Sequence, residues 1–108
     1  MKAFVLIDGE LKLKEMEEPA AETNEVLVSL KAAGLNRRDL SIPNRYGENK
    51  EALILGSDGA GIVEAVGNGV RKFDVGDEVI INPSLNWEKK SYGPPKGFDI
   101  LGMPSHGT

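Results

Sequence analysis

Residues 56–81 read GSDGAGIVEAVGNGVRKFDVGDEVII, and the fold turns on how this stretch is read. Six glycines fall between Gly56 and Gly76, set among alternating apolar positions, with Ile62, Glu64 and Val66 on one side and Val63 and Ala65 on the other. Alternation of this kind marks a strand. Glycine weakens a strand interior unless the backbone must bulge, turn sharply or lie close to another group. Gly56, Gly59 and Gly61 therefore predict a bent, bulged strand with a close neighbour. Gly67-Asn68-Gly69 supplies residues that accept positive φ at little cost, after which residues 70–81 return as a second extended segment interrupted at Gly76-Asp77. The unit is twisted β structure.

A chain of 108 residues fits one domain and can bury about 65% of its unfolded-state surface. The apolar fraction of 40% and charged fraction of 28% are those of an ordinary soluble globular domain. A net charge of -4 with no basic block opposes binding to nucleic acid or anionic lipid, so neither is expected as a partner. No apolar run approaches the roughly 20 residues of a membrane span, and Met1-Lys2-Ala3 leads straight into a strand pattern without a signal-peptide core. A cytoplasmic location is the expectation. The absence of cysteine excludes disulfides.

Outward from the central stretch, Asp8-Gly9 between the extended runs 3–7 and 11–17 predicts an N-terminal hairpin. Residues 19–24 form a polar connector. Val26, Val28, Leu30 and Ala32 alternate with Leu27, Ser29 and Lys31 as one long strand that Gly34 ends. Asn36 can cap a short helix over 37–42, which Pro43 keeps from continuing far. Residues 44–52 read as a polar loop carrying Tyr46, and Leu53-Ile54-Leu55 leads back to the centre. From Asn82 onward the periodicity vanishes, predicting an irregular lobe over 82–108. It holds half of the six aromatics, Trp87, Tyr92 and Phe98, which predicts that the lobe packs on something.

The bent glycine strand, its tight glycine turn, the closing Gly76-Asp77-Glu78-Val79 and the preceding segment from Lys31 to Asp39 together resemble one family over essentially the whole chain. They are similar to the N-terminal catalytic domain of the medium-chain dehydrogenase/reductase superfamily. The resemblance implies a mainly β fold, a GroES-like partly open β-barrel with a short helix, forming one wall of an active-site cleft. It also implies that residues 1–108 are a catalytic-domain fragment truncated before its last strands. The family binds its dinucleotide on a separate Rossmann domain, and no G-x-G-x-x-G opens a helix here: Gly56 to Gly61 has the wrong spacing and continues as strand.

In the zinc branch of that family a cysteine stands at the place of Asn36 and a histidine at the place of Ser57. Zinc sites draw mainly on thiolate and imidazole, and this chain has no cysteine and a single histidine, His106, which reads as solvent-facing. No metal site and no zinc are expected. Gly34-Leu35-Asn36 and Gly56-Ser57-Asp58 resemble the zinc-free quinone oxidoreductase branch. That resemblance implies hydride transfer from NADP(H), bound mainly by the absent domain, to a quinone or an α,β-unsaturated carbonyl.

On the same basis Asn36 lies near the nicotinamide and Tyr46 near the substrate carbonyl, while Arg37 meets the cofactor pyrophosphate. The competing readings are a helix cap for Asn36, a loop tyrosine for Tyr46 and an exposed helix arginine for Arg37. Arg38 stands where the zinc branch relays a proton through a hydroxyl, which an arginine cannot do at neutral pH. Asp39 reads as a structural partner for a backbone N–H or a nearby arginine. Two alternatives stand beside this reading: an alcohol dehydrogenase relative of other substrate class, and a GroES-like interaction module without chemistry. The fragment itself is expected to be inactive, with an exposed strand edge open to edge pairing or segment exchange, and the full-length protein to be a homodimer or homotetramer.

Overall fold

A computed structural model describes residues 1–45, 51–86, 92–94, 96–102 and 106–108. Along the chain run β1 (Lys2–Ile7), β2 (Glu10–Glu15), β3 (Val26–Gly34), α1 (Arg37–Arg45), β4 (Leu53–Ile54), β5 (Asp58–Val66), β6 (Glu78–Ile80), β7 (Ser84–Leu85) and β8 (Asp99–Ile100). They form three open antiparallel sheets, ordered β2-β1-β4, β3-β5-β6 and β7-β8. The architecture is mainly β with one short helix, as the resemblance implies. No helix among the described residues is long and apolar enough to cross a membrane.

The hairpin forms where Asp8-Gly9 predicts it. Both residues have positive φ, at 50° and 77°, which matches the twist of a two-residue turn to that of its strands. Its register sets Leu6 opposite Leu11, and β4 adds Leu53 beside Leu6 and Ile54 beside Val5. Because side chains alternate across a sheet, these pairs divide the core. Leu6 and Leu53 pack with Ile42 of α1 and with Leu55, while Val5, Ala3 and Ile54 pack on Ile7, Met16 and Ala52.

The central strand is bent as its glycines predict. Register breaks between Leu27 and Val28 and between Leu30 and Ala32 leave Glu64 as the extra residue on β5 and Lys31 on β3. A side chain at Gly61 would run into the Ser29 carbonyl, and one at Gly59 would come within 2.9 Å of Leu30 Cδ2. These are the close neighbours that the glycine spacing calls for.

Three expectations need correction. The interruption at Gly76-Asp77 is there, but residues 70–77 form no strand, because Asp74 and Asp77 close a local turn: Asp74 N donates to Asp77 Oδ2 at 2.9 Å and Asp77 N to Asp74 O at 3.1 Å. The strand there shrinks to Glu78–Ile80. The helix does not stop before Pro43 but runs through it to Arg45. In the last turn the proline forfeits a single backbone bond and little helix remains to be kinked. The lobe after Asn82 is not wholly irregular, for β7 and β8 pair Ser84 with Ile100 and Leu85 with Asp99, and Leu101 N donates to Pro83 O at 2.9 Å. Within it Tyr92 is fully exposed and Phe98 half-buried, while Trp87 lies outside the described residues.

Residues 106–108 lie along 54–58 as a further extended partner. Gly107 N donates to Ile54 O at 2.7 Å, Thr108 N to Gly56 O at 3.1 Å, and Thr108 Oγ1 to Asp58 O at 3.0 Å. Here His106 is exposed, as expected, yet its Nδ1 accepts the Ile54 N–H at 3.1 Å. The backbones of Gly56, Gly102 and Gly107 meet at this point. A side chain on Gly102 would come within 2.7 Å of Gly56 O, and one on Gly107 would strike the same carbonyl.

Gly102 and Gly76 have nearly the same backbone, at φ 101° and 98°, but nothing lies within 4 Å of a side chain at Gly76. Replacing either by alanine costs about 1–3 kcal/mol of backbone strain. Gly102→Ala adds overpacking against fixed backbone, on the order of 1–3 kcal/mol more. Denaturant unfolding of the two variants is expected to show Gly102→Ala less stable than Gly76→Ala by at least about 1 kcal/mol; equal midpoints would show that the glycine crossing is not tight in solution.

Candidate active site

The site residues gather where the end of β3, the first turn of α1 and the start of β5 meet. Gly34 pairs with Asp58, and a side chain at Gly34 would sit 3.1 Å from Asp58 Cβ, so the Asp58 carboxylate lies over the chain that leads into Asn36. Asn36 starts the helix. Its Oδ1 accepts the Arg38 N–H at 2.9 Å, and Asp39 Oδ2 returns the bond by accepting the Asn36 N–H at 2.9 Å. This reciprocal arrangement satisfies two backbone donors that a helix start leaves orphaned. Asn36 is therefore a helix cap, and Asp39 is the structural partner the sequence suggests. Donation by Arg38 N fixes which amide atom is oxygen, leaving Asn36 Nδ2 without a partner among the described residues on an exposed side chain.

Arg37 is exposed in the same turn. Tyr46 lies outside the described residues. Asp58 is exposed, and Ser57 beside it is buried at 5% exposure, a polar side chain among otherwise apolar buried ones. The structure thus brings Asn36, Arg37, Ser57 and Asp58 to one end of the β3–β5 ladder.

Sequence reasoning passed over the connection that ties this end together. Arg38 Nη1 donates to Ser57 Oγ at 3.4 Å, a long contact, and to Leu101 O at 3.2 Å. One guanidinium thereby joins α1 to the residue opening β5 and to the segment after β8. A signal for it exists in the helix period. Arg38 and the fully buried Ile42 are four residues apart and share a face, so Arg38 projects inward.

Among the described residues no group of three or more His, Cys, Asp or Glu side chains could hold a metal ion. The donor set at this end, an amide, a hydroxyl, a guanidinium and a carboxylate, does not suit zinc, which draws on thiolate and imidazole. Two surface grooves lie elsewhere, one at Glu22 and Gly67 and one at Val26, Val70 and Phe73. Both flank the Val26–Val66 end of the ladder, a strand length of about 27 Å from Asp58.

Residues 22–108 match the alcohol dehydrogenase GroES-like domain. The chain belongs to this family. A zinc-type alcohol dehydrogenase-like protein of Schizosaccharomyces pombe is 46% identical over 81 residues, covering 72% of this chain and 23% of the relative. A crotonyl-CoA carboxylase/reductase of Cereibacter sphaeroides is 38% identical over 81 residues, covering 69% of this chain and 19% of the relative. In three dimensions the GroES-like domain matches an NAD-dependent alcohol dehydrogenase with a TM-score of 0.82 and 34% identity, over all of this chain and 35% of that one. The chain thus spans about a fifth to a quarter of the length of these curated relatives. The relatives named here are dehydrogenases and reductases, and the chain shares their GroES-like domain of the medium-chain superfamily.

The cap and any chemical role of Asn36 are separable. Asn36→Ala removes the cap acceptor and is expected to lower the unfolding free energy of the chain by about 1 kcal/mol, whereas Asn36→Asp keeps an acceptor oxygen and nearly all of that stability. Denaturant titration of the two variants checks this; equal losses would mean that the amide, not the cap, is what the fold requires.

Proposed function

We propose that this GroES-like domain is the substrate-side portion of a longer NADP(H)-dependent oxidoreductase that reduces quinones or α,β-unsaturated carbonyl compounds without zinc. One observation carries the reading. Asn36 and Ser57 stand where a zinc site would need thiolate and imidazole, and the Arg38 guanidinium, a fixed cation, reaches Ser57 Oγ. Crotonyl-CoA, named in one relative, is itself an α,β-unsaturated thioester, which favours a conjugated carbonyl as substrate.

When bound, a reduced nicotinamide supplies the hydride. This chain's residues bind and orient. Asn36 offers its Nδ2 donors while its Oδ1 remains committed to the helix cap. Arg37, exposed in the first helical turn, suits a phosphate oxygen as a charged fork donor. Tyr46 is assigned to the substrate carbonyl on the family resemblance alone. The longer protein is proposed to be a cytoplasmic homo-oligomer acting on small molecules.

The test is dinucleotide oxidation by the full-length protein, with NADPH and NADH in parallel, against quinones, enones and simple alcohols or aldehydes, with and without a chelator. Chelator-insensitive turnover of a quinone or enone is expected, with Asn36→Asp lowering kcat/KM by about ten-fold or more while the fold stays intact. Turnover confined to alcohols or aldehydes and abolished by the chelator would place the protein with the zinc-type dehydrogenases instead.

A further inference from the structure

We infer that the Ser57 hydroxyl, oriented by Arg38, is the hydrogen-bond donor that stabilises the substrate's developing enolate oxygen; this rests on the reductase reading above. Ser57 is 5% exposed, and burying a hydroxyl costs about 1–3 kcal/mol unless its hydrogen-bonding capacity is met. One of its three hydrogen-bonding sites is met here. Its oxygen accepts from Arg38 Nη1, but its proton finds no acceptor among the described residues. Because the guanidinium can only donate, it occupies an Oγ lone pair and leaves the O–H to point elsewhere. A cationic donor behind the oxygen also strengthens that O–H as a donor, since hydrogen bonds in a chain polarise one another.

The position suits the role. Ser57 directly precedes Asp58, which pairs with Gly34, two residues before Asn36, so this buried hydroxyl and the exposed amide of Asn36 sit at the same end of the ladder. Arg38 in turn is held by Leu101 O at 3.2 Å, which fixes the guanidinium from the side of the β8 segment. Preorganised donors of this kind stabilise charge without having to reorient as it forms.

Bound NADPH would supply the hydride that forms a C–H bond at the substrate's β-carbon, leaving NADP⁺. The C=C π pair shifts to the bond between the α-carbon and the carbonyl carbon, and the carbonyl π pair moves onto oxygen, giving an enolate held by the Ser57 O–H. A solvent proton adds to the α-carbon, the carbonyl re-forms, and Ser57 keeps its proton throughout. Ser57 is the catalytic residue in this scheme and Arg38 a positioning residue acting through it.

The experiment is a double-mutant cycle in the full-length protein with cyclohexenone as substrate. Ser57→Ala is expected to lower kcat by about 100-fold with KM for NADPH and the melting temperature unchanged, and Ser57→Thr to recover most of the loss. Arg38→Gln is expected to lower kcat in the native background and to add less than about three-fold in Ser57→Ala. A difference Raman spectrum should show the carbonyl stretch of bound cyclohexenone at lower frequency in the native protein than in Ser57→Ala. Native turnover with Ser57→Ala fully active, additive Arg38 and Ser57 effects, or the same carbonyl frequency in both proteins would overturn the assignment. No turnover of any enone or quinone by the native protein would instead overturn the reductase reading on which it rests.

Discussion

The crossing of Gly56, Gly102 and Gly107 is the constraint on which the rest of this molecule depends. The backbone at Gly56 meets the distant stretch that carries Gly102 and Gly107 at distances that exclude a Cβ, and two of the glycines have φ near 100°. Such conformations are nearly closed to other residues. The close approach lets Gly107 and Thr108 donate to the carbonyls of Ile54 and Gly56, so that β4 is bonded on one side to β1 and on the other to the C-terminal residues. A two-residue strand flanked on both sides can hold its place; left at an edge it would fray. From β4 the order spreads outward, because Leu53 and Ile54 point to opposite faces and each anchors one apolar cluster.

The same crossing positions the candidate site. Ser57 and Asp58 follow Gly56 directly, so the turn that lets these backbones meet also decides which way the two side chains point. The His106 imidazole takes the place of a backbone acceptor for Ile54 N, so this donor is met by a side chain. Hydrogen-bond accounting and site geometry are thus one problem here, solved over about five residues.

Much of this was legible in the sequence, and the reasons are local. Asp8-Gly9 specifies its hairpin because both residues tolerate positive φ. Asn36 specifies the helix start because its side chain satisfies a donor two residues on. The glycines of β5 announce a bulge or a close neighbour because glycine otherwise weakens a strand. What escaped was non-local or too short to carry a period. The strands Ser84–Leu85 and Asp99–Ile100 have two residues each, which is one repeat of nothing. The turn at Asp74–Asp77 is written in side-chain bonds that any two nearby aspartates can make or decline. The inward reach of Arg38 was masked by the usual meaning of arginine on a helix, a solvated face, although its spacing from Ile42 pointed the other way. The family resemblance supplied the architecture and named Asn36 and Ser57 as the informative departures, but it attached no partner to Ser57.

Arg38 is also in the wrong place for helix stability. A cation in the first turn opposes the positive end of the helix dipole, a cost of about 0.3–1 kcal/mol per charge, and Arg37 stands next to it. Asp39 offsets part of this from the same turn while it caps Asn36. A side chain serving only to cover the core there would be better as leucine or methionine. What the guanidinium adds is two donors aimed at acceptors that apolar residues cannot satisfy, the Leu101 carbonyl and the Ser57 hydroxyl. It accepts a local electrostatic penalty in order to join three segments of chain, and the positive charge thereby comes to rest beside the buried Ser57 hydroxyl. Tether and electrostatic field are properties of a single side chain, so the fold cannot keep one and discard the other.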